Sequence, residues 1–241
     1  MNKAILRSLA PEGHLRAAIN LSNFLLVPRV MPDGTPTGTS PDVATRIARA
    51  LDVECKFVCF ERPGFIADAV DFDQWDIGNI ADEPARAAVM DFTNPYALID
   101  AHFLVRDDSR LRRYQDVDKD KNTVAVLERS AYDLWLTDNL KHATIRRVSS
   151  MGEALELFRK GAVTVLAGLK PSLMEEVDRN PIYRIVEPRF TAIRQAVGIK
   201  KGNPEALQFL NNIVSELIST GFIKDSLKRH GMLGKLSVPV F

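Results

Sequence analysis

The sequence predicts an α/β fold built from mostly parallel sheets with helices packed on both faces. Short apolar runs alternate with segments of helical periodicity along most of the 241 residues. In the segment 40–53, apolar residues recur three and four positions apart, as expected for a helix that packs one face against a sheet. The chain is long enough for one large domain or for two lobes of about 100 residues each. Such alternation is typical of parallel strands joined by crossover helices.

Each element is predicted from its local pattern. Strands are expected at 15–21, 55–60, 75–80, 101–106, 123–128, 143–148, 163–168, 183–188 and 191–200, and helices at 40–53, 64–70, 130–140, 150–161, 170–180, 204–221 and 222–231. Residues 32–38, PDGTPTG, have the composition of a hairpin tip. Ser40 is predicted as the N-cap of the first helix, with Pro41 as its first helical residue. The charged connector 106–122 is, by composition, the best boundary between two lobes.

Composition argues against several classes of protein and site. A net charge of +1 leaves no basic footprint for nucleic acid and no polybasic membrane patch. No run approaches the roughly 18 apolar residues of a membrane span. The four histidines are scattered without metal-ligand spacing, so we predict no metal site and no cofactor. Cys55 and Cys59 would lie about 13 Å apart on one strand, which predicts two buried free thiols rather than a disulfide.

The first twenty residues lack the apolar core and the cleavage site of a secretory signal. Two alternatives follow. The protein is periplasmic if a signal peptide was trimmed from it, and otherwise it is cytoplasmic.

Six short motifs, taken in order, resemble the polar-amino-acid family (family 3) of ABC-transporter solute-binding proteins. They are LRAAIN, DGTPTGTSPDVATRIARALDV, WDI, PARAAVMDFTNPY, RKGAVTVLAGLKP and AVGIKKGNPEAL. Their order and spacing carry the resemblance, which extends from about Leu15 to Gly231. This family has the type II periplasmic binding protein fold.

The resemblance implies two lobes, residues 1–103 plus 198–241 and residues 104–197. Each lobe would be a mostly parallel five-stranded sheet flanked by helices, and a two-strand hinge would join them. A ligand would be held in the cleft as the lobes close. The implied partners are a small carboxylate ligand and the membrane components of an ABC transporter. We expect a monomer that does not itself insert into the membrane and does not bind nucleic acid.

Arg86 is the first site residue that the resemblance implies. In the family, the arginine at this spacing before Asp91-Phe92 pairs with the α-carboxylate of the ligand. The chemistry suits the residue, because a guanidinium binds a carboxylate through two parallel hydrogen bonds and stays charged when buried.

The second lobe is expected to contribute a helix N-terminus that begins at Ser130, with Tyr132 reaching the ligand. Arg129 replaces the glycine that is usual in the family. At the next loop, Leu169 stands where amino-acid binders place an aspartate for the ligand's ammonium group, and Lys170 follows it. Since leucine cannot pair with an ammonium ion, the ligand is expected to lack that amine or to bind it through another acid.

Four of the remaining candidates belong to the first lobe, and the fifth, Gln195, lies on the crossover strand. Asn20 and Asn23 replace an aspartate and an aromatic residue that are common in the family. Asn79 and Glu83 are polar groups at the same rim, and Gln195 lies on the strand that returns to this lobe. Glu83 is the acid nominated for a ligand amine, or else it is an acid at a helix N-terminus beside Pro84.

Three functions remain open from the sequence. The leading one is reversible binding for transport, with no catalytic residue. An enzyme on the same fold, a cyclohexadienyl or prephenate-type dehydratase, would need a buried acid, for which Glu83 is the candidate. A cytoplasmic ligand-sensing module is the third.

Overall fold

The computed structural model describes residues 3–240. The chain forms two compact units. Unit 1 comprises the described residues up to Leu98 and from Arg194 onward, and unit 2 comprises Ile99–Ile193. Both contain strands and helices, which confirms the predicted α/β class.

The elements are numbered in chain order. The strands are β1 (His14–Asn20), β2 (Arg29–Val30), β3 (Pro36–Thr37), β4 (Glu54–Phe60), β5 (Ile77–Ala81), β6 (Met90–Phe92), β7 (Ala97–Arg106), β8 (Thr123–Leu127), β9 (Thr144–Val148), β10 (Val165–Leu169) and β11 (Tyr183–Lys200). The α-helices are α1 (Lys3–Leu9), α2 (Thr39–Ala50), α3 (Pro63–Asp68), α4 (Pro84–Ala87), α5 (Tyr114–Val117), α6 (Ala131–Asn139), α7 (Met151–Arg159), α8 (Lys170–Arg179), α9 (Pro204–Ser219) and α10 (Phe222–Arg229).

In unit 1, the main sheet has the strand order β4-β1-β5-β11, and β6 pairs with β11. Strand β1 runs parallel to β4 and β5, whereas β11 is antiparallel to β5. One face of this sheet packs against Ile66, Trp75 and Met90. Helix α2 covers β1 and β5 with a stripe of apolar residues that includes Val43 and Ile47. Because β1 and β5 are parallel, their carboxyl ends lie at the same edge of the sheet.

In unit 2, the strand order is β7-β10-β8-β9. Strands β8, β9 and β10 are parallel, and β7 is antiparallel to β10. The core of this unit includes Leu104, Phe158, Leu166 and Tyr183, with Phe158 and Tyr183 in ring contact at 4.9 Å between centroids.

The chain passes from one unit to the other within β7 and again within β11. These crossings lie a few residues before the boundaries that we predicted, 103/104 and 197/198. Strands β7 and β11 each continue from one unit into the other with no change in residue pattern. The sequence therefore does not indicate the residue at which the chain leaves a unit. The connector 106–122 lies wholly inside unit 2, and its interpretation as a boundary is therefore wrong. Its Asp118 carboxylate accepts hydrogen bonds from three successive backbone N–H groups, 141–143, which holds the connector in place.

Several local predictions differ from the structure. The N-cap of α2 is Gly38 rather than Ser40. The two strands predicted at 183–188 and 191–200 are one continuous strand, β11, and α1 and β6 were not predicted.

Cys55 and Cys59 are both free, as expected, but Cys55 is only half-buried and Cys59 is exposed. The prediction that both are buried is wrong, because β4 is the edge strand of its sheet. Partial burial nevertheless raises the pKa of both thiols, that of Cys55 to about 12. Within residues 3–240, no helix has both the length and the hydropathy needed to cross a bilayer.

Candidate functional site

The candidate site in unit 1 lies at the carboxyl edge, which we define as the carboxyl-terminal halves of β1 and β5, ending at Asn20 and Ala81, together with the segments that directly follow them. Small ligands commonly bind at the carboxyl ends of parallel strands, where the following loops and helices meet. Helix α4 begins directly after β5, since Pro84 has the backbone angle of a first helical residue and lacks the N–H that would remain unbonded there.

Arg86 lies in α4 with only 4% of its surface exposed. One guanidinium nitrogen, Nη1, donates a hydrogen bond to the backbone carbonyl oxygen of Ala81 at 2.9 Å. The short helix therefore directs the side chain back to the end of β5. The resemblance implied that Arg86 binds the carboxylate of the ligand, and that role stays a prediction.

Gln195 lies at the same edge, because it is paired with Ala81 across β11 and β5. Its backbone oxygen accepts a hydrogen bond from the N–H of Tyr96 at 2.8 Å, and the hydroxyl of Tyr96 is 2.8 Å from that of Ser40. Tyr96 is fully buried, and burial raises the pKa of its hydroxyl, which therefore stays protonated at neutral pH. Tyr96 was not among the residues predicted for the site. Its signal in the sequence was a polar aromatic residue directly before the apolar run Ala97-Leu98-Ile99.

Asn20 and Asn23 form the turn after β1. The side-chain oxygen of Asn20 accepts hydrogen bonds from both the N–H and the hydroxyl of Ser22. The backbone N–H of Asn23 bonds to the oxygen of Asn20 at 3.3 Å, and its backbone oxygen accepts bonds from Leu26 and Val27. Both asparagines are buried, and the side-chain oxygen Oδ1 of Asn23 has no hydrogen-bond partner.

Asn79 occupies the middle of β5, between Ile19 of β1 and Val197 of β11. Only 2% of its surface is exposed, and neither its Oδ1 nor its Nδ2 has a hydrogen-bond partner. A buried amide with both polar atoms unsatisfied is rare in folded proteins. Asn79 is therefore the least expected polar group at this edge.

Glu83 is buried and is the residue that precedes the first turn of α4. This location agrees with an acid at a helix N-terminus, one of its two interpretations, and contact with a ligand stays a prediction. Its neighbour Asp82 forms an ion pair with Arg194 at 3.2 Å.

In unit 2, Ser130 caps α6, and its hydroxyl oxygen accepts a hydrogen bond from the N–H of Asp133 at 3.1 Å. Tyr132 is buried, and burial raises the pKa of its hydroxyl, while a hydrogen bond with Ser130 acts in the opposite direction. Arg129 has a φ angle of 57°, in the left-handed region that favours glycine. This conformation explains why glycine suits the position in the resembling family.

Lys170 is the first residue of α8, and its ammonium group forms an ion pair with Glu187 at 2.8 Å, also in unit 2. The half-buried Leu169 precedes it as the N-cap and offers no side-chain hydrogen bond. Contacts of Ser130, Tyr132 and Lys170 with a ligand stay predictions. Among residues 3–240, no three His, Cys, Asp or Glu side chains are grouped so as to hold a metal ion.

Comparison with known proteins gives consistent results. Residues 27–232 match the model of the bacterial extracellular solute-binding proteins, family 3. The L-cystine-binding protein TcyJ of Escherichia coli K12 is 22% identical over 197 residues, which cover 80% of this chain and 73% of that protein.

Two solved structures show the same fold. A mutant of ArgBP from T. maritima superposes with a TM-score of 0.75 at 21% identity, covering 94% of this chain and 99% of that one. The amino acid ABC transporter substrate-binding protein AbpA of Streptococcus pneumoniae, bound to L-arginine, gives a TM-score of 0.74 at 19% identity, covering 93% and 97%. At these identities, the likeness shows the fold alone.

Proposed function

The chain belongs to family 3 of the bacterial extracellular solute-binding proteins, and on that premise we propose that it binds a small carboxylate-bearing solute, amino-acid-like or an organic acid, and delivers it to an ABC transporter. The relatives support this ligand class. One is named for L-cystine and another is bound to L-arginine. An α-carboxylate is common to both ligands, although their side chains differ.

The observation that carries the proposal is the buried guanidinium of Arg86 at the end of β5. A guanidinium keeps its charge in a buried site and offers a planar set of donors that matches a carboxylate. The carbonyl of Ala81 orients it, so little side-chain freedom is lost when a ligand binds.

Binding is reversible in this proposal, with no chemical step. The protein would act outside the cytoplasm, as the family description indicates, and the membrane components of the transporter would be its partner. Closure of the two units on a ligand stays a prediction.

Replacing Arg86 tests the proposal. Arg86→Ala should weaken binding of a carboxylate ligand by about 2 kcal/mol or more, roughly thirtyfold in Kd, because the charged partner of the carboxylate is removed. Arg86→Lys keeps the charge but loses the two-pronged geometry, and we expect an intermediate loss. The ligand is first found by a thermal-shift panel of amino acids and organic acids, and Kd is then measured by titration calorimetry.

Arg49→Ala is the matched control, since it removes the same charge from an exposed position at the end of α2. Its affinity should equal that of the unchanged protein. If Arg86→Ala folds normally by circular dichroism and binds the ligand as tightly as Arg49→Ala, Arg86 is not the carboxylate anchor.

A further inference from the structure

Two buried amide side chains at the carboxyl edge have polar atoms without hydrogen-bond partners. They are Asn79, through both Oδ1 and Nδ2, and Asn23, through Oδ1. An unsatisfied buried amide destabilises a fold, so an apolar residue would be the more stable choice at such a position. The neighbours of Asn79 on the adjacent strands, Ile19 and Val197, are fully buried apolar residues.

The position of Asn79 on its strand places it near the proposed carboxylate anchor. Asn79 and Ala81 are two residues apart, so their side chains point to the same face of β5 and their Cα atoms are roughly 6.6 Å apart. The opposite face carries Gly78 and Ile80, which pack against Ile66 and Met90. Asn79 therefore faces the layer in which α2 packs, beside the strand end to which Arg86 is bonded.

Asn23 borders the same strand end from the neighbouring strand. Its N–H is bonded to Asn20 at the end of β1, and the residue before Asn20 is the strand partner of Asn79. The carboxyl edge therefore combines a guanidinium with two neutral amides.

On the proposed function of this site, we infer that the ligand carries, several bonds from its carboxylate, an uncharged group that both donates and accepts hydrogen bonds: a carboxamide or a hydroxyl. The hydrogen-bonding atoms of Asn79, one acceptor and one donor, select this class of ligand group. Such a group satisfies both Oδ1 and Nδ2 of Asn79. An ammonium group has donors only, so it would leave Nδ2 of Asn79 unsatisfied, and a methyl group would leave every one of these atoms unsatisfied.

The nearby acids do not favour a second positive charge on the ligand. Asp82 forms an ion pair with Arg194, and Asp42 in the first turn of α2 forms one with Arg229. Glu83, the acid nominated for an amine, follows Ala81 along the chain, whereas Asn79 precedes it. We therefore assign the amides to the uncharged group and leave Glu83 as the candidate for an amine.

Two matched series of five-carbon ligands test the inference by calorimetry. The first is glutaramate, 5-hydroxypentanoate, 5-aminopentanoate and pentanoate, and the second is L-glutamine, L-ornithine and L-norvaline. Within a series, only the terminal group changes, from amide or hydroxyl to ammonium to methyl. In the series that binds, the amide or hydroxyl member should bind about tenfold or more tightly than the ammonium and methyl members.

Variants of Asn79 test whether this residue causes the preference for an amide or hydroxyl ligand. Asn79→Val should reduce the difference within the series to threefold or less. It should also raise the unfolding midpoint of the ligand-free protein by about 2–4 °C, because the unsatisfied amide is removed. Asn79→Asp should reverse the order in favour of the ammonium ligand. Asn212→Val, which removes an exposed amide in α9, is the control and should leave the order unchanged.

The outcomes separate this inference from the function on which it depends. If no carboxylate of the thermal-shift panel binds, or if binding does not require Arg86, the proposed function fails. If other carboxylates bind through Arg86 but neither series does, the inference fails and the function stands. If carboxylates bind through Arg86 but the terminal group has no effect, or if Asn79→Val keeps the preference, the inference is overturned while the function stands. A crystal structure of the complex with Asn79 bonded only to an ordered water would also overturn it.

Discussion

Single residues in this chain show how buried charges are stabilised. Glu176 in α8 has 1% of its surface exposed. Its carboxylate accepts hydrogen bonds from Nε of Arg159 at 2.9 Å and from Nδ2 of Asn180 at 2.9 Å, and Nη2 of Arg159 bonds to the other oxygen. These partners, above all Arg159, lower the pKa of Glu176 from its ordinary value of 4.5. Asn79 is the contrasting case, a buried polar side chain without such partners.

The lowered pKa of Glu176 predicts how stability depends on pH. The folded protein holds this proton less tightly than the unfolded chain does, so the stabilisation is fully present above pH 4.5 and is lost as pH falls through the lower, folded-state pKa. Glu176→Gln should reduce the free energy of unfolding at pH 7 by about 2 kcal/mol, because it weakens the charge-assisted hydrogen bonds to Arg159, whose side chain is partly exposed. The loss should shrink as pH falls from 5 to 3, in urea titrations.

Glu175→Gln is the control, because Glu175 is the adjacent residue and its ion pair with Arg179 is exposed. It should change stability by less than about 0.5 kcal/mol at any pH. If the loss in Glu176→Gln stays constant between pH 7 and pH 3, the ion pair with Arg159 does not account for the lowered pKa.

At the scale of elements, Gly38 determines how the β2–β3 hairpin leads into α2. It has a φ angle of 148°, and a Cβ atom built on it would lie 2.1 Å from the backbone oxygen of Leu26. The same oxygen accepts a hydrogen bond from the N–H of Ser40. The glycine therefore permits the close approach that brings the first turn of α2 to the carboxyl edge.

This close approach predicts a large effect of a single methyl group. Gly38→Ala should reduce the free energy of unfolding by about 3 kcal/mol, because both the backbone angle and the contact with Leu26 are unfavourable for alanine. Gly34→Ala is the matched control in the same hairpin, with a φ angle of 87° but open space around the added methyl. Its loss should be about 1 kcal/mol, from the backbone angle alone. If Gly38→Ala and Gly34→Ala lose the same free energy of unfolding in urea, the close contact between the added methyl group and Leu26 does not destabilise the protein.

Elements were predictable wherever their side chains repeat with a clear period. The alternation along the chain predicted α2, α6, α7, α9 and most strands, since apolar spacing reports which face is buried. It did not predict β6 or the continuity of β11. Strand β6 has only three residues, which are too few to show a periodic pattern. The continuity of β11 depends on pairing with strands that are distant in sequence.

At the scale of the whole molecule, each unit has its own hydrophobic core. Phe158 and Leu104 belong to the core of unit 2, whereas Ile66 and Met90 belong to a cluster in unit 1. Separate cores allow one unit to open locally without the other.

Hydrogen exchange measured on a truncated core tests this independence. Phe158→Ala should destabilise unit 2 by about 3–5 kcal/mol, because it removes a buried ring that contacts Tyr183. Amide exchange should accelerate in β8, β10 and α7 and change little in β1 and β5. Ile66→Ala should produce the opposite pattern. Equal acceleration of both units in either variant would show that they unfold as one cooperative body.

The amino-acid sequence was sufficient to predict the α/β class, the order of most elements and the candidate arginine. These follow from local periodicity and from a resemblance whose motifs are read along the chain. Which polar residues share an edge became clear only from the folded structure. It placed Arg86 against the oxygen of Ala81, linked Gln195 to Ser40 through Tyr96, and left the amide of Asn79 buried without a partner. The reason is physical: hydrogen bonding and desolvation depend on neighbours that only strand pairing and helix packing bring together, and no local pattern encodes them.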